Sequence, residues 1–356
     1  MSKQCLGCGA ILQFENSESL GYSPKQDAQY CQRCFRLTHY NDVTISMQKD
    51  IQNDTLLRRV NELDALVVWV VDMIDFSSSM LQSLHRHLQG KDILLVCTKS
   101  DLLPRDTNSN KIARFIQKQL QQQALHVCGI VVSGNWHKQD ETSIEQVKDA
   151  IETFRHQRDV VLLGQANAGK SSVLNALLRT RALTTSYQPG TTLDLHPITF
   201  EQYTLYDTPG LVNYGSCLTY ADQKTLQEIV LHKQLNPKKF QLTQSQSLAI
   251  GGLVRLDLEA CEDVRVICYV SKRLKIHRGK QRQADMLWTT HFHQNMLCPV
   301  ITTSFAQMKR WDVVKKGEAF DIVISGLGWI CIHGKFKSAC VYVAKEIDVQ
   351  CREAMI

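Results

Sequence analysis

The chain has 356 residues, 44% apolar and 21% charged, which suits two or three packed domains and excludes a disordered or collagen-like polymer. No apolar run reaches the roughly 18 residues that cross a bilayer, and Met1-Ser2-Lys3-Gln4-Cys5 lacks the apolar stretch of a signal peptide; a cytoplasmic protein that touches no membrane is expected, and a monomer. The net charge of +6 is uneven: residues 216–356 carry 20 Lys and Arg against 13 Asp and Glu, and residues 1–215 carry 21 against 22, so a polyanionic partner should meet the C-terminal end. Most of the thirteen cysteines lie in apolar segments, as Cys97, Cys128 and Cys268 do, and read as reduced, buried thiols.

Residues 1–45 are Cys-, Gln- and Ser-rich, with turn material at Gly21-Tyr22-Ser23-Pro24, and are too few to build a core unaided. Cys5-x2-Cys8 and Cys31-x2-Cys34 have the spacing of a four-cysteine zinc site. Four thiolates leave no open coordination position, so the zinc would be structural; a redox CxxC or two disulfides are the other readings. Lys25, Arg33, Arg36 and Tyr40 stand nearby, either touching RNA or as solvated surface.

Residues 46–215 read as a doubly wound α/β domain. Ala65–Asp72, Asp92–Thr98, Val127–Ser133 and Asp159–Gly164 are short, continuously apolar, β-branched runs, the pattern of parallel strands covered on both faces. Helices are expected at about 77–89, 109–125, 142–157 and 170–180, with a closing antiparallel edge pair at Pro197–Phe200 and Gln202–Asp207.

The chemistry sits at the ends of these strands. Thr98-Lys99-Ser100-Asp101 follows the second; alone it is a strand-end turn, but beside a phosphate loop its aspartate can accept from guanine N1–H and the 2-amino group together, a donor pair adenine lacks. Ser133-Gly134 ends the third strand and can offer a backbone N–H to guanine O6. Gly164-Gln165-Ala166-Asn167-Ala168-Gly169-Lys170-Ser171, between the fourth strand and a helix, fits GxxxxGK[ST]. Its backbone N–H groups and the helix N-terminus cradle phosphate oxygens, Lys170 reaches the β/γ-phosphates, and Ser171, followed by Ser172, offers a hydroxyl to Mg²⁺. Pro189-Gly190-Thr191-Thr192 brings a further hydroxyl, from Thr192, to the metal. In Asp207-Thr208-Pro209-Gly210 the aspartate can hold Mg²⁺ through water and the Gly210 amide can sense the γ-phosphate. Jointly these elements read as a GTP/GDP site with Mg²⁺.

These parts resemble those of TRAFAC-class GTPases, in which the phosphate loop comes first and the [NT]KxD element late. Here TKSD precedes the loop, so the domain reads as circularly permuted. The cut is tolerable because ligand loops gather at the carboxyl ends of parallel strands wherever the chain begins. The segment after DTPG then leads into the C-terminal region, whose position is expected to follow the nucleotide state. The resemblance also implies that Asn167 takes part in K⁺ binding, with a loop-shaping role as the plainer reading. Leu211, where Ras-like enzymes place a water-orienting glutamine, implies slow intrinsic hydrolysis.

Residues 216–356 read as a basic α+β domain: a polar helix near 220–235, then alternating segments at Val264–Val270, Phe320–Ser325, Trp329–His333 and Val341–Ala344 that suggest an antiparallel sheet. Ser271–Arg282 (SKRLKIHRGKQR) holds six cations, one histidine and no acid, with Gly279 as an expected loop tip. This run and the domain charge point to nucleic acid; Lys309-Arg310 and Lys315-Lys316 could extend the patch. His291, His293 and Cys298, on an expected edge strand, read as packing and surface rather than a second metal site.

Taken together, CxGCGA at 5–10, CQRCFRLxHYN at 31–41, GQANAGKSS at 164–172, PGTT at 189–192, DTPG at 207–210 and SGLGW at 325–329 resemble the YqeH family of ribosome-assembly GTPases along nearly the whole chain. The resemblance implies an N-terminal zinc finger, a permuted P-loop GTPase domain and a C-terminal RNA- or ribosome-binding domain, with GTP hydrolysis coupled to maturation of the small (30S) ribosomal subunit and its 16S rRNA. Thr98 departs from the family, which more often has asparagine there, and this bears on a bond to guanine N7. A metabolic P-loop enzyme and a nucleotide-switched RNA-binding scaffold with negligible hydrolysis are the alternatives.

Overall fold

The computed structural model describes residues 3, 11–15, 22–26, 28, 29 and 32, and then 53–80, 84–134, 141–179, 195–294 and 296–356. Cys5, Cys8, Cys31, Cys34 and the Pro189–Thr192 segment lie outside the described residues. Of the described residues, those up to 72, 84–98 and 124–212 form one compact unit, and 73–80, 99–123 and 213–356 form a second.

Up to residue 207 the elements are α1 (Asn53–Glu62), β1 (Ala65–Asp72), α2 (Phe76–Ser79), α3 (Leu84–His87), β2 (Ile93–Thr98), α4 (Ser109–Gln122), β3 (Gly129–Val132), α5 (Glu141–Arg155), β4 (Asp159–Gly164), α6 (Lys170–Arg179), β5 (His196–Thr199) and β6 (Thr204–Asp207). The first unit is built on a six-stranded sheet in the order β3-β2-β1-β4-β6-β5. All pairings are parallel except β5 with β6, the expected antiparallel edge. Every residue of β1 and β2 is buried, which is why these strands read as unbroken apolar runs rather than alternating ones. Leu66, Val68 and Val70 of β1 share a core with Ile144, Val147 and Ile151 of α5 and with Val173 and Leu177 of α6. Residues two apart in the strand and three or four apart in the helices meet on one face. Cys97 is wholly buried, and burial pushes its thiol well above the ordinary range.

The second unit takes α2 and α4 together with everything after residue 212. Asn108 caps α4 by accepting from the Asn110 and Lys111 amides at 2.9 and 3.3 Å, which satisfies donors the first turn leaves open. Phe115 of α4 meets Phe76 of α2 edge-on, with ring centres 5.2 Å apart. The helix expected over 77–89 is interrupted: α2 ends at Ser79, and α3 is a separate turn that belongs to the first unit.

Beyond residue 212 come α7 (Cys217–Tyr220), α8 (Gln223–Ile229), β7 (Lys238–Leu242), β8 (Gln246–Ile250), β9 (Val254–Glu259), β10 (Glu262–Tyr269), β11 (Ile276–Lys280), α9 (Ala284–His291), β12 (Met308–Asp312), β13 (Ala319–Ile324), β14 (Gly328–Lys335), β15 (Ser338–Ala344) and β16 (Val349–Glu353). The ten strands make two antiparallel sheets, β16-β13-β14-β10-β7 and β11-β8-β9-β15-β12, so the region expected to be α+β is mostly β. The polar helix near 220–235 is two short helices, because Ala221 and Val230 adopt extended backbone at their ends. Gly279 is no loop tip: it pairs with Ser247 in the ladder between β11 and β8. The edge strand expected around His291 is helix α9, which buries Ala284 and Trp288.

Two ion pairs are buried in this unit. Arg255 grips Asp257 with Nε and Nη2, the latter at 2.6 Å, and its guanidinium stands 4.7 Å from the centre of the Tyr342 ring. Arg352 holds Asp321 at 3.2 Å and donates to Ser77 Oγ at 2.6 Å.

Candidate nucleotide site

The strand register places the ends of β2, β3, β4 and β6 along one sheet in the first unit. Val70 of β1 pairs with both Val96 of β2 and Gly164 of β4, Cys97 pairs with Val132, and Leu162 pairs with Asp207. The carboxyl ends of β2, β3, β4 and β6 therefore leave the sheet at one edge, where ligands of open parallel sheets bind.

The phosphate loop is shaped by two positive-φ residues, Asn167 at +64° and Gly169 at +95°. Asparagine tolerates that region better than most residues. A Cβ on Gly164 would come within 2.5 Å of the Val70 carbonyl oxygen, so only glycine lets β4 lie against β1 at the loop's start. Helix α6 then opens with the Val173 amide donating to the Gly169 carbonyl at 3.0 Å. Lys170 is buried, and its Nζ donates to the Gly164 and Gln165 carbonyls at 3.0 and 3.1 Å. Burial pushes its ammonium down to about 8, against the Asp207 carboxylate, which favours the charged form. A desolvated cation curled over its own loop is poised to receive an anion that replaces the water it has lost.

The DTPG loop is tied directly to this loop. The Leu211 amide donates to the Gly164 carbonyl at 3.1 Å, and the Ala166 amide donates to the Leu211 carbonyl at 3.0 Å, a one-residue parallel bridge between Gln165 and Leu211. Gly210 packs so closely on Ala166 that a Cβ would stand 2.7 Å from the Ala166 Cα. Thr208 anchors the turn through its hydroxyl, which donates to the Leu162 carbonyl at 2.8 Å. Leu211 is buried and carries no polar atom that could orient water.

The remaining predicted residues fall as follows. Thr98, expected beside the base, is wholly buried; its hydroxyl lies 2.6 Å from the Ala168 carbonyl and 3.2 Å from that of Val71. What that side chain holds here is the phosphate loop. Ser133 and Gly134 are buried at the end of β3, the Ser133 amide donating to the Cys97 carbonyl at 2.8 Å. Lys99 (φ +59°) and Asp101 follow β2, Asp101 in the 3₁₀ turn Ser100–Leu102, and both belong to the second unit. Ser171 is exposed in the first turn of α6, with Ser172 half-buried beside it. An Asp207 carboxylate and a serine hydroxyl are the hard oxygen donors that magnesium takes, so the described residues suit that ion. The Thr208 anchor and the Gln165–Leu211 bridge were not foreseen; the threonine of DTPG was the available signal for the first, and nothing local marks the second.

Two family models match: "YqeH-like, C-terminal" over residues 264–355, and "50S ribosome-binding GTPase" over residues 159–287. The second match begins at β4 and leaves TKSD upstream of it, as a permuted chain requires. The protein named YqeH of Bacillus subtilis is 34% identical over 364 residues, covering 99% of either chain. NO-associated protein 1 (chloroplastic/mitochondrial) of Arabidopsis thaliana is 29% identical over 398 residues, covering 92% of this chain and 69% of its own. Among solved structures, the crystal structure of YjeQ from Thermotoga maritima is matched at 21% identity and a TM-score of 0.26, over 42% of this chain and 49% of that one, a likeness too slight to argue from.

Proposed function

The chain belongs to the YqeH family of GTPases, and on that premise we propose that it couples GTP hydrolysis to assembly of the small (30S) ribosomal subunit and maturation of its 16S rRNA. The observation that carries the nucleotide reading is the pairing of the phosphate loop with DTPG: Lys170 is desolvated over the first, and Gly210 is packed against it. Lys170 and the loop amides hold the β- and γ-phosphates, the Gly210 amide registers the γ-phosphate, and Asp101 with Ser133-Gly134 selects guanine. Magnesium, held by Ser171, Asp207 and Thr192, supplies charge neutralisation across the same phosphates. Water attacks the γ-phosphorus, GDP leaves, and inorganic phosphate is the second product. With the buried Leu211 in place of a water-orienting side chain, the intrinsic rate is slow, and K⁺ bound with the help of Asn167 raises it.

The cysteines Cys5, Cys8, Cys31 and Cys34 hold one structural zinc, to be checked by metal content of wild type and of Cys31→Ser. The RNA partner meets residues 271–282 and the remainder of the basic C-terminal region, the protein works as a monomer in the cytoplasm, and its C-terminal region responds to the bound nucleotide. Hydrogen exchange over residues 216–356 should differ between GDP and a non-hydrolysable GTP analogue.

The choice of subunit rests on the family resemblance, whereas one matching family model names the large subunit in its description. Sedimentation with purified 30S and 50S subunits under GDP and the analogue tests it directly, and sedimentation with 50S alone would overturn the 30S reading. Competition by guanosine but not adenosine nucleotides separates the proposal from a metabolic P-loop enzyme. Single-turnover hydrolysis with and without subunits separates it from a scaffold that barely hydrolyses.

A further inference from the structure

Among the described residues, strand β11 is the edge of its sheet and pairs only with β8, in unbroken register from Ile276↔Ile250 to Lys280↔Gln246. Gly279 lies inside that ladder. Glycine weakens a strand interior and usually marks a bulge, a tight bend or the close approach of a ligand or another backbone. The continuous register removes the bulge, and Gly279 is not among the residues of positive φ. No backbone crowds it either: the atom nearest to where its Cβ would stand is His277 Nε2, at 3.5 Å. In that place is a cavity of about 270 Å³ between the sheet and α9, walled by Ser247, His277 and Gly279 on one side and by Leu287, Trp288 and His291 on the other.

Three properties define what fits there. The volume lies just below the roughly 300–1,000 Å³ of drug-sized pockets, which suits one ring system. The lining is soft: Leu287 and Met286, the latter 65% exposed, contribute apolar surface, whereas Trp288 is wholly buried with its indole N–H lacking a hydrogen-bond partner among the described residues. One cation, Lys280, lines the cavity, and Lys272, Arg273, Lys275, Arg278 and Arg282 are exposed in the same segment of chain. Cations on an edge strand also guard it against pairing with another sheet, but that leaves the missing side chain at Gly279 unexplained.

A heterocycle carried on a polyanion suits a cavity of this size with an apolar lining and a lysine at its edge. We propose that this cavity receives one unstacked base of a single-stranded RNA, whose phosphates run along the cations of residues 272–282; the assignment rests on the RNA-partner reading above. A base within a duplex is stacked and cannot enter, so the site selects loops, bulges or ends.

The test uses the full chain and two fluorescent 12-mers, an oligouridylate and a matched ribose-phosphate oligomer without bases. Gly279→Leu, at a position of ordinary backbone, fills the cavity. It should weaken oligouridylate binding by about 10-fold and leave the abasic oligomer unaffected, with an unchanged unfolding midpoint showing that the fold is intact. Lys280→Gln with Arg282→Gln should weaken both oligomers and flatten the salt dependence. With 4-thiouridine in the oligomer, the wild-type protein should crosslink within residues 277–291. Equal effects of Gly279→Leu on both oligomers, no effect on either, or crosslinks confined elsewhere would overturn the pocket while leaving the RNA partner standing. A wild-type protein that binds neither oligomer nor ribosomal subunits would overturn both.

Discussion

The hydroxyl of Thr98 stands 2.6 Å from the carbonyl oxygen of Ala168, a residue seventy positions further along the chain. One hydroxyl proton serves one acceptor well, and the Val71 carbonyl at 3.2 Å is the more distant, so the strand that ends in TKSD is bonded to the phosphate loop. Thr98→Val keeps the shape and removes the donor, leaving a buried carbonyl unsatisfied. A loss of about 1–3 kcal/mol in denaturant unfolding is expected, with weaker GDP binding by titration and rescue of both by Thr98→Ser.

Gly210→Ala places a methyl group 2.7 Å from a backbone atom of Ala166, which cannot swing aside as a side chain could. The DTPG loop must move off the phosphate loop, and displacement of about 1 Å at a reacting centre costs on the order of 100-fold. GTP turnover should fall by about that factor while GDP affinity changes far less, because the Gly210 amide is assigned to the γ-phosphate.

Lys170 gives a pH signature in nucleotide- and metal-free protein. Its ammonium lies near 8 in the fold, against 10.5 as the ordinary value, so between those limits the unfolded chain binds more protons than the folded one. Stability from this site therefore rises with pH through that window. Between pH 8 and pH 10 the gain is about 2 kcal/mol and should disappear in Lys170→Met, read as the difference between the two proteins' unfolding free energies at those two pH values.

Arg352 and Asp321 are both buried, and the same carboxylate oxygen also accepts from the Met355 amide at 3.0 Å. Burial raises the Asp321 carboxyl while Arg352 opposes it. Arg352→Met strands that charge and should cost about 3–5 kcal/mol. Replacing both residues, with Asp321→Leu added, should restore most of the loss in the same unfolding assay.

Asn167 adopts φ +64°, and its side-chain nitrogen is buried with no hydrogen-bond partner among the described residues. Asn167→Gly keeps the loop conformation and removes the side chain. Turnover of the wild type should be faster in KCl than in NaCl, and the variant should show equal rates in both; a wild type indifferent to the cation would remove K⁺ from the scheme.

Much of the first unit was legible because its signals are local. The runs Ala65–Asp72 and Asp159–Gly164 announce covered parallel strands by lacking alternation, and the order TKSD, GxxxxGKS, DTPG discloses the permutation without any coordinates. The second unit hid its strands where the alternating pattern fails. β7 (Lys238–Leu242) and β11 (Ile276–Lys280) are sheet edges, half-exposed and rich in cations, so neither shows the apolar period by which a strand is recognised. The same absence made Gly279 look like a turn.

The amino-acid order alone therefore determined the strands of the parallel sheet, the identity of the phosphate loop and the location of the excess charge, since each is written in neighbouring residues. Only the tertiary structure decided that Thr98 faces the phosphate loop, that Leu211 bridges to Gln165, and that Gly279 stands over a cavity. Those relations join positions far apart in the chain, and which partner a side chain or a bare backbone meets is set by how the elements pack, a quantity that no short window of sequence contains.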